Sequence, residues 1–141
     1  MFTNTREVTI EWGDCDPAGI VFYPRYFAHC DSSTGALFAA ALGMTKAKII
    51  RHYGILGWPM VDTRARFLIP NSFGDTVQIV STVTAIRRAS FDIGHRILRT
   101  GELSVDCTET RVWVARDQAD PDRIKSQPIP DEVRALLSAA R

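Results

Sequence analysis

Cysteine is scarce in this chain, long apolar runs are missing, and neither sign of charge dominates. The three cysteines, Cys15, Cys30 and Cys107, are odd in number, far apart, and form no CxxC or Cys/His cluster of the kind that binds zinc. A disulfide framework and a structural zinc are therefore excluded, and free thiols in a reducing, cytoplasmic setting are expected. No apolar stretch approaches the roughly 18 residues needed to span a bilayer, and the opening MFTNTREVTI lacks a basic start followed by an apolar run. Neither membrane insertion nor export is expected. With 17 Lys plus Arg against 16 Asp plus Glu, the net charge of +1 gives no broad footprint for nucleic acid or an anionic membrane. Any anion recognition has to be local.

What is present fits one ordinary globular domain over residues 1–141, 45% hydrophobic and 23% charged. At this length folding buries roughly two-thirds of the unfolded chain's surface, enough for a core without staples. Val8, Ile10 and Trp12 alternate with polar residues and predict a half-buried strand. GDCDPAG at 13–19 is a turn-rich loop. From Pro24, which suits a first helical position, Phe27, Cys30, Thr34, Leu37, Phe38, Ala41 and Leu42 fall on one helical stripe that Gly43 ends. A shorter helix is expected from Lys46 to His52, capped by Gly54.

The remainder reads as strands. Residues 61–69 alternate up to Pro70, and the runs 75–86, 91–99 and 102–116, joined by RRAS and TG, predict an antiparallel meander. ADPDR and QPIP are expected to be irregular, and 130–140 to form a terminal helix. The order of elements is α+β: a five-stranded antiparallel sheet packed on one long helix. Such a sheet leaves edges to cover, which points to a homodimer.

The string Asp14-Cys15-Asp16-Pro17-Ala18-Gly19-Ile20-Val21-Phe22-Tyr23-Pro24 carries the chemistry. It sets carboxylates before a helix N-terminus, where unpaired N–H groups and the helix dipole favour negative charge. Pro24 has no N–H, so the Tyr23 amide is the candidate donor to a developing oxyanion. Asp16 beside it suits attack on an activated carbonyl, as nucleophile or as the base that activates water. The plainer alternative is that Asp14 and Asp16 only bond loop amides. A DxD phosphotransferase motif is rejected, because that motif needs a buried parallel strand and no proline after the second Asp.

These residues resemble the 4-hydroxybenzoyl-CoA thioesterase family of hot-dog-fold proteins, through GDCDPAGIVFYPRY at 13–26, Asp31, GILGWP at 54–59 and RRASF at 87–91. The resemblance implies a sheet wrapped around one long central helix, and dimers that pair their sheets and associate into tetramers with active sites at subunit interfaces. It implies Asp16 as the carboxylate that attacks the thioester carbon, Tyr23 as the donor of the amide that holds the carbonyl oxygen, and no metal or redox cofactor. A second lineage of this fold places a catalytic Glu on the helix; residues 24–42 contain none.

Asp31 stands in line with Phe27, Thr34 and Phe38 at helical spacing, where a carboxylate is costly unless paired. The resemblance gives it the hydroxyl of a bound hydroxybenzoyl ring in the neighbouring subunit; an interface or intrahelical hydrogen bond is the alternative. Phe22 stands where the hydroxybenzoyl enzyme has Trp and keeps an aromatic wall, and Trp58 lines the acyl side or packs the helix. Arg87 and Arg88, with Ser90 as helper, are the candidates for the CoA phosphates, either that or an exposed hairpin pair, and Ala89 departs from the family's basic run. Two other activities stay open on sequence: hydrolysis of short aliphatic acyl-CoA or acyl-carrier-protein thioesters, and non-catalytic acyl-CoA binding.

Overall fold

The computed structural model describes residues 1–140. Strand β1 (Thr3–Thr9) is followed by a 3-10 turn at Trp12–Asp14, helices α1 (Pro24–Leu42) and α2 (Lys46–Tyr53), and strands β2 (Met60–Phe67), β3 (Thr76–Ile86), β4 (Ser90–Arg99) and β5 (Glu102–Val112). A short hairpin of β6 (Val114–Arg116) and β7 (Ile124–Ser126) leads into α3 (Asp131–Ser138). Strands β1 to β5 form one antiparallel sheet in the order β1-β3-β4-β5-β2. The expected α+β architecture, a five-stranded sheet carrying a long helix, is the one observed.

Helix α1 begins at Pro24 and stops where Gly43 takes a left-handed φ of 68° and its N–H donates to the Ala39 carbonyl. Its inner face divides the core in two. The N-terminal half sets Tyr26 and Cys30 among Val77, Ile79, Ile97 and Val105, and the C-terminal half sets Leu37 and Phe38 among Trp58, Phe91, Ile93 and Trp113. Phe38 stacks on Trp58 with centroids 4.3 Å apart, an arrangement that adds to simple area burial. Between the two halves lies a polar seam: Thr34 on α1, Ser81 on β3, His95 on β4 and Glu109 on β5, all buried.

Several boundaries differ from the sequence expectation. Strand β1 starts and ends earlier than the alternation at Val8, Ile10 and Trp12 suggests, because the Glu11 N–H donates to the Asp14 carboxylate and the Asp14 N–H to the Glu11 carbonyl, which turns the chain. Ile10 is still buried, but Trp12 is thrown outward and 65% exposed. The run 102–116 is broken at Trp113, whose N–H bonds the Ala89 carbonyl, so β6 leaves the main sheet and pairs with β7 in a stretch expected to be irregular. The three helices among the described residues lie where the sequence places them, within a residue or two at their ends. Both sheet edges are open in the single chain, and β2 exposes Val61 and Phe67.

Candidate active site

The loop before α1 is closed by its own backbone and tied to the β2–β3 connection, where the Val21 N–H donates to the Asn71 carbonyl and the Phe73 N–H to the Gly19 carbonyl. Cys15 pairs with Val21, the Asp16 N–H donates to the Ile20 carbonyl, Gly19 turns back at a φ of 79°, and the Phe22 N–H donates to the Asp14 carbonyl. Asp16 sits at the closed end, half-buried, with Oδ1 accepting the Ala18 N–H at 2.9 Å. Its second oxygen and the Tyr23 N–H have no partner among the described residues. Asp16 and Tyr23 are thus held by one loop, one carrying an unengaged carboxylate oxygen and the other an unengaged amide donor.

Asp14 fastens this loop to the helix. It is 4% exposed, accepts from the Glu11 N–H and from Arg25 Nε at 3.1 Å, and lies 3.3 Å from His29 Nε2. Burial pushes its carboxyl up, but the Glu11 N–H, Arg25 and His29 outweigh this and hold it below the usual carboxylate range. His29 on α1 therefore touches the loop beside Arg25.

Asp31 is eight residues beyond Tyr23, about 12 Å along the axis at 1.5 Å per residue. It is not among the buried residues of α1: its side chain is 55% exposed and stands at the mouth of a cleft of about 470 Å³. Trp58, Pro59, Leu56 and Met60 wall this cleft, Lys46 overhangs it with Nζ 5.2 Å from the Trp58 ring centre, and Arg111 closes its floor. Trp58 itself is 2% exposed: its ring packs the helix through Phe38, and the residue also lines the cleft. Phe22 and Tyr23, 52% and 59% exposed, lie with Asp16 on the loop and not in this cleft.

Arg111 was not singled out in the sequence, and neither was Glu109. Arg111 donates from Nε and Nη2 to the two oxygens of Glu109, from Nη1 to the Trp58 carbonyl, and from Nη2 to Asp31 Oδ1 at 2.8 Å. Glu109 also accepts from Thr34 and faces His95 Nε2 at 3.2 Å, while His95 Nδ1 is 2.7 Å from Ser81 Oγ. Desolvation acts to raise the Glu109 pKa, but hydrogen bonds from His95, Arg111 and Thr34 bring it below the usual carboxylate range. The signal for these residues was parity. Phe91, Ile93, His95 and Ile97 share one face of β4, and Val105, Cys107, Glu109 and Arg111 share the same face of β5.

At the turn between β3 and β4, Arg87 and Arg88 are both exposed. Arg87 is already paired with Asp92 and hydrogen-bonded to Ser90 Oγ, whereas the Arg88 guanidinium has no partner among the described residues. Arg134 on α3 donates to the carbonyls of both arginines and fixes the turn from below. No group of His, Cys, Asp and Glu among the described residues is arranged to hold a metal ion, and no helix is long and apolar enough to cross a membrane.

The family model described as the thioesterase-like superfamily matches residues 10–137. The 4-hydroxybenzoyl-CoA thioesterase of Pseudomonas sp. strain CBS-3 is 30% identical over 139 residues, covering 95% of this chain and 96% of that protein. Its solved structure superposes with a TM-score of 0.88 over 96% of this chain and 99% of its own. A mutant 4-hydroxybenzoyl-CoA thioesterase in complex with 4-hydroxybenzoyl-CoA gives 0.88 at 29% identity, over 98% of this chain and 100% of that one. A gentisyl-coenzyme A thioesterase gives 0.82 at 27% identity, over 96% and 100%. Likeness over nearly the whole length, joined to a hot-dog sheet and helix, establishes that the chain belongs to the thioesterase-like superfamily and is a thioester hydrolase.

Proposed function

We propose that this chain hydrolyses the CoA thioester of a hydroxylated aromatic acid, 4-hydroxybenzoyl-CoA or a close hydroxybenzoyl or benzoyl analogue, to the free acid and CoA. The observation that carries the reading is the Asp31 carboxylate, tied through one oxygen to Arg111 at the mouth of a cleft backed by Trp58. An aliphatic acyl chain has no use for an acceptor there; a ring hydroxyl does. The names of the relatives on either side, hydroxybenzoyl and gentisyl thioesterases, support a phenolic acid.

In this reading the thioester carbonyl oxygen lies against the Tyr23 N–H, which takes up charge as the carbon becomes tetrahedral. The free oxygen of Asp16 either attacks the carbon, expelling the CoA thiolate and leaving a mixed anhydride that water then opens, or removes a proton from a water that attacks instead. Both courses consume one water and end in carboxylate and CoA thiol. The roughly 12 Å between loop and cleft within one chain supports a site shared between subunits, with Asp16, Phe22 and Tyr23 from one and Asp31 and Trp58 from the next, hence a homodimer or homotetramer. Arg88 is the free cation for the CoA phosphates, while Arg87 with Ser90 joins only if it loosens its hold on Asp92. The roles are filled by side chains and backbone alone, with CoA as part of the substrate.

A panel of 4-hydroxybenzoyl, gentisyl, benzoyl, phenylacetyl, acetyl and hexanoyl thioesters of CoA, read by release of free thiol, tests the acyl class. The hydroxyaryl thioesters are expected to have the highest kcat/KM; a preference for hexanoyl or acetyl contradicts the proposal.

A further inference from the structure

We propose that Arg111 is the positioning residue for acyl specificity: it holds the Asp31 carboxylate and the Trp58–Pro59 wall at a set separation, so that the cleft selects a ring bearing a hydrogen-bond donor. This rests on the reading above, in which Asp31 meets the ring. A guanidinium that is only 4% exposed is destabilising unless its donors are used, and those of Arg111 are used on three different elements. Two bonds go to Glu109 on its own strand, one to the Trp58 carbonyl in the segment leading into β2, and one to Asp31 on α1.

Glu109 is fixed in turn by Thr34 on α1 and by His95 on β4, and His95 by Ser81 on β3. The guanidinium therefore has nowhere to swing, and what it presents to Asp31 is a rigid donor. A half-exposed aspartate on a helix would otherwise move among rotamers and use both oxygens on water. Here Oδ1 is taken at 2.8 Å, and Oδ2 is left without a partner among the described residues on a side chain that lines the cleft. The same guanidinium bonds the Trp58 carbonyl at 3.3 Å, and the Val112 N–H next to it bonds the Pro59 carbonyl at 3.2 Å. Wall and acceptor are thus referenced to one group. Lysine cannot replace it, because a single ammonium does not reach three acceptors in the directions of a planar fork.

The test uses the selectivity ratio, kcat/KM for 4-hydroxybenzoyl-CoA over benzoyl-CoA, in wild type, Arg111→Lys, Asp31→Asn and the double variant. Arg111→Lys is expected to lower the ratio roughly tenfold or more, the scale of one charge-assisted hydrogen bond losing its geometry. Because Arg111 acts through Asp31, the Lys substitution is expected to change the ratio no further in the Asp31→Asn background. Equal loss on both thioesters, or an independent loss in the double variant, overturns the proposal. An unchanged ratio in Asp31→Asn alone overturns the prior reading of Asp31, a different result. Should Arg111→Lys fail to fold, the wild type still decides. The signals of its buried Arg111 guanidinium protons are expected to shift in NMR spectra on adding 4-hydroxybenzoate and not benzoate, and equal or absent shifts refute the link.

Discussion

Replacing Glu109 by Gln is expected to unsettle the whole fold while changing hardly any volume. Glu109 is 2% exposed, and its two oxygens receive Arg111 twice, Thr34 once and His95 at 3.2 Å. The amide keeps one acceptor oxygen but turns an NH₂ toward donors, leaving Arg111 buried with only the exposed Asp31 as counter-charge. Breaking a buried pair from one side costs about 3–5 kcal/mol. At roughly 3–4 °C per kcal/mol for a domain of this size, the midpoint of thermal unfolding falls by about 10–20 °C. A pH series adds a second check. The Glu109 carboxyl titrates lower in the folded than in the unfolded chain, so its contribution is present above about pH 4 and is lost as pH falls through the folded value. Urea unfolding of wild type is therefore expected to weaken more steeply below about pH 4 than that of Glu109→Gln. A loss under about 1 kcal/mol at neutral pH, or parallel acid profiles, would refute the claim that the seam is a paired ionic network.

Asp14→Asn removes the charge that binds Arg25 to the loop, and denaturant unfolding is expected to show a loss of about 1.5–3 kcal/mol. Phe38→Ala opens the stack between Trp58 and Phe91, and the same assay is expected to show about 3–5 kcal/mol. Gly43→Ala meets no neighbour within 4 Å but forces a side chain onto a φ of 68°, so calorimetry is expected to show a modest loss of about 1–2 kcal/mol. Arg88→Ala is expected to raise KM for the CoA thioester roughly tenfold and leave KM for the corresponding pantetheine thioester, which lacks the nucleotide, unaltered.

The parts of this molecule that were legible in its sequence are those specified by neighbours in the chain. Pro24 and Gly43 bound a helix because one lacks an N–H and the other accepts a left-handed turn, and both facts are local. The turn that carries Asp16 and Tyr23 was legible for the same reason, since Gly19 and bonds within ten residues close it on itself; the bonds that tie it to Asn71 and Phe73, some fifty residues on, were not. The polar seam was not, because Thr34 meets His95 and Glu109 across 61 and 75 residues, and an isolated charge in a strand reads as solvated until its partner is known. Asp31 lay between these cases. Its spacing placed it with the stripe, but it lies at the margin, where the cleft opens and Arg111 reaches out to it. Strand β7 escaped notice because three residues bonded only to β6 carry no periodic signal.

The central claim is that Asp16 acts on the reacting carbon, and the most direct measurement compares wild type with Asp16→Asn on 4-hydroxybenzoyl-CoA. Steady-state kcat would be set beside the Kd of the thioester from calorimetry. The account predicts that kcat falls by about 10²–10⁴-fold while Kd stays within a few-fold, since the carboxylate is not used to hold the nucleotide. A variant that turns over at nearly the wild-type rate, or one that loses affinity as fully as it loses rate, would contradict it.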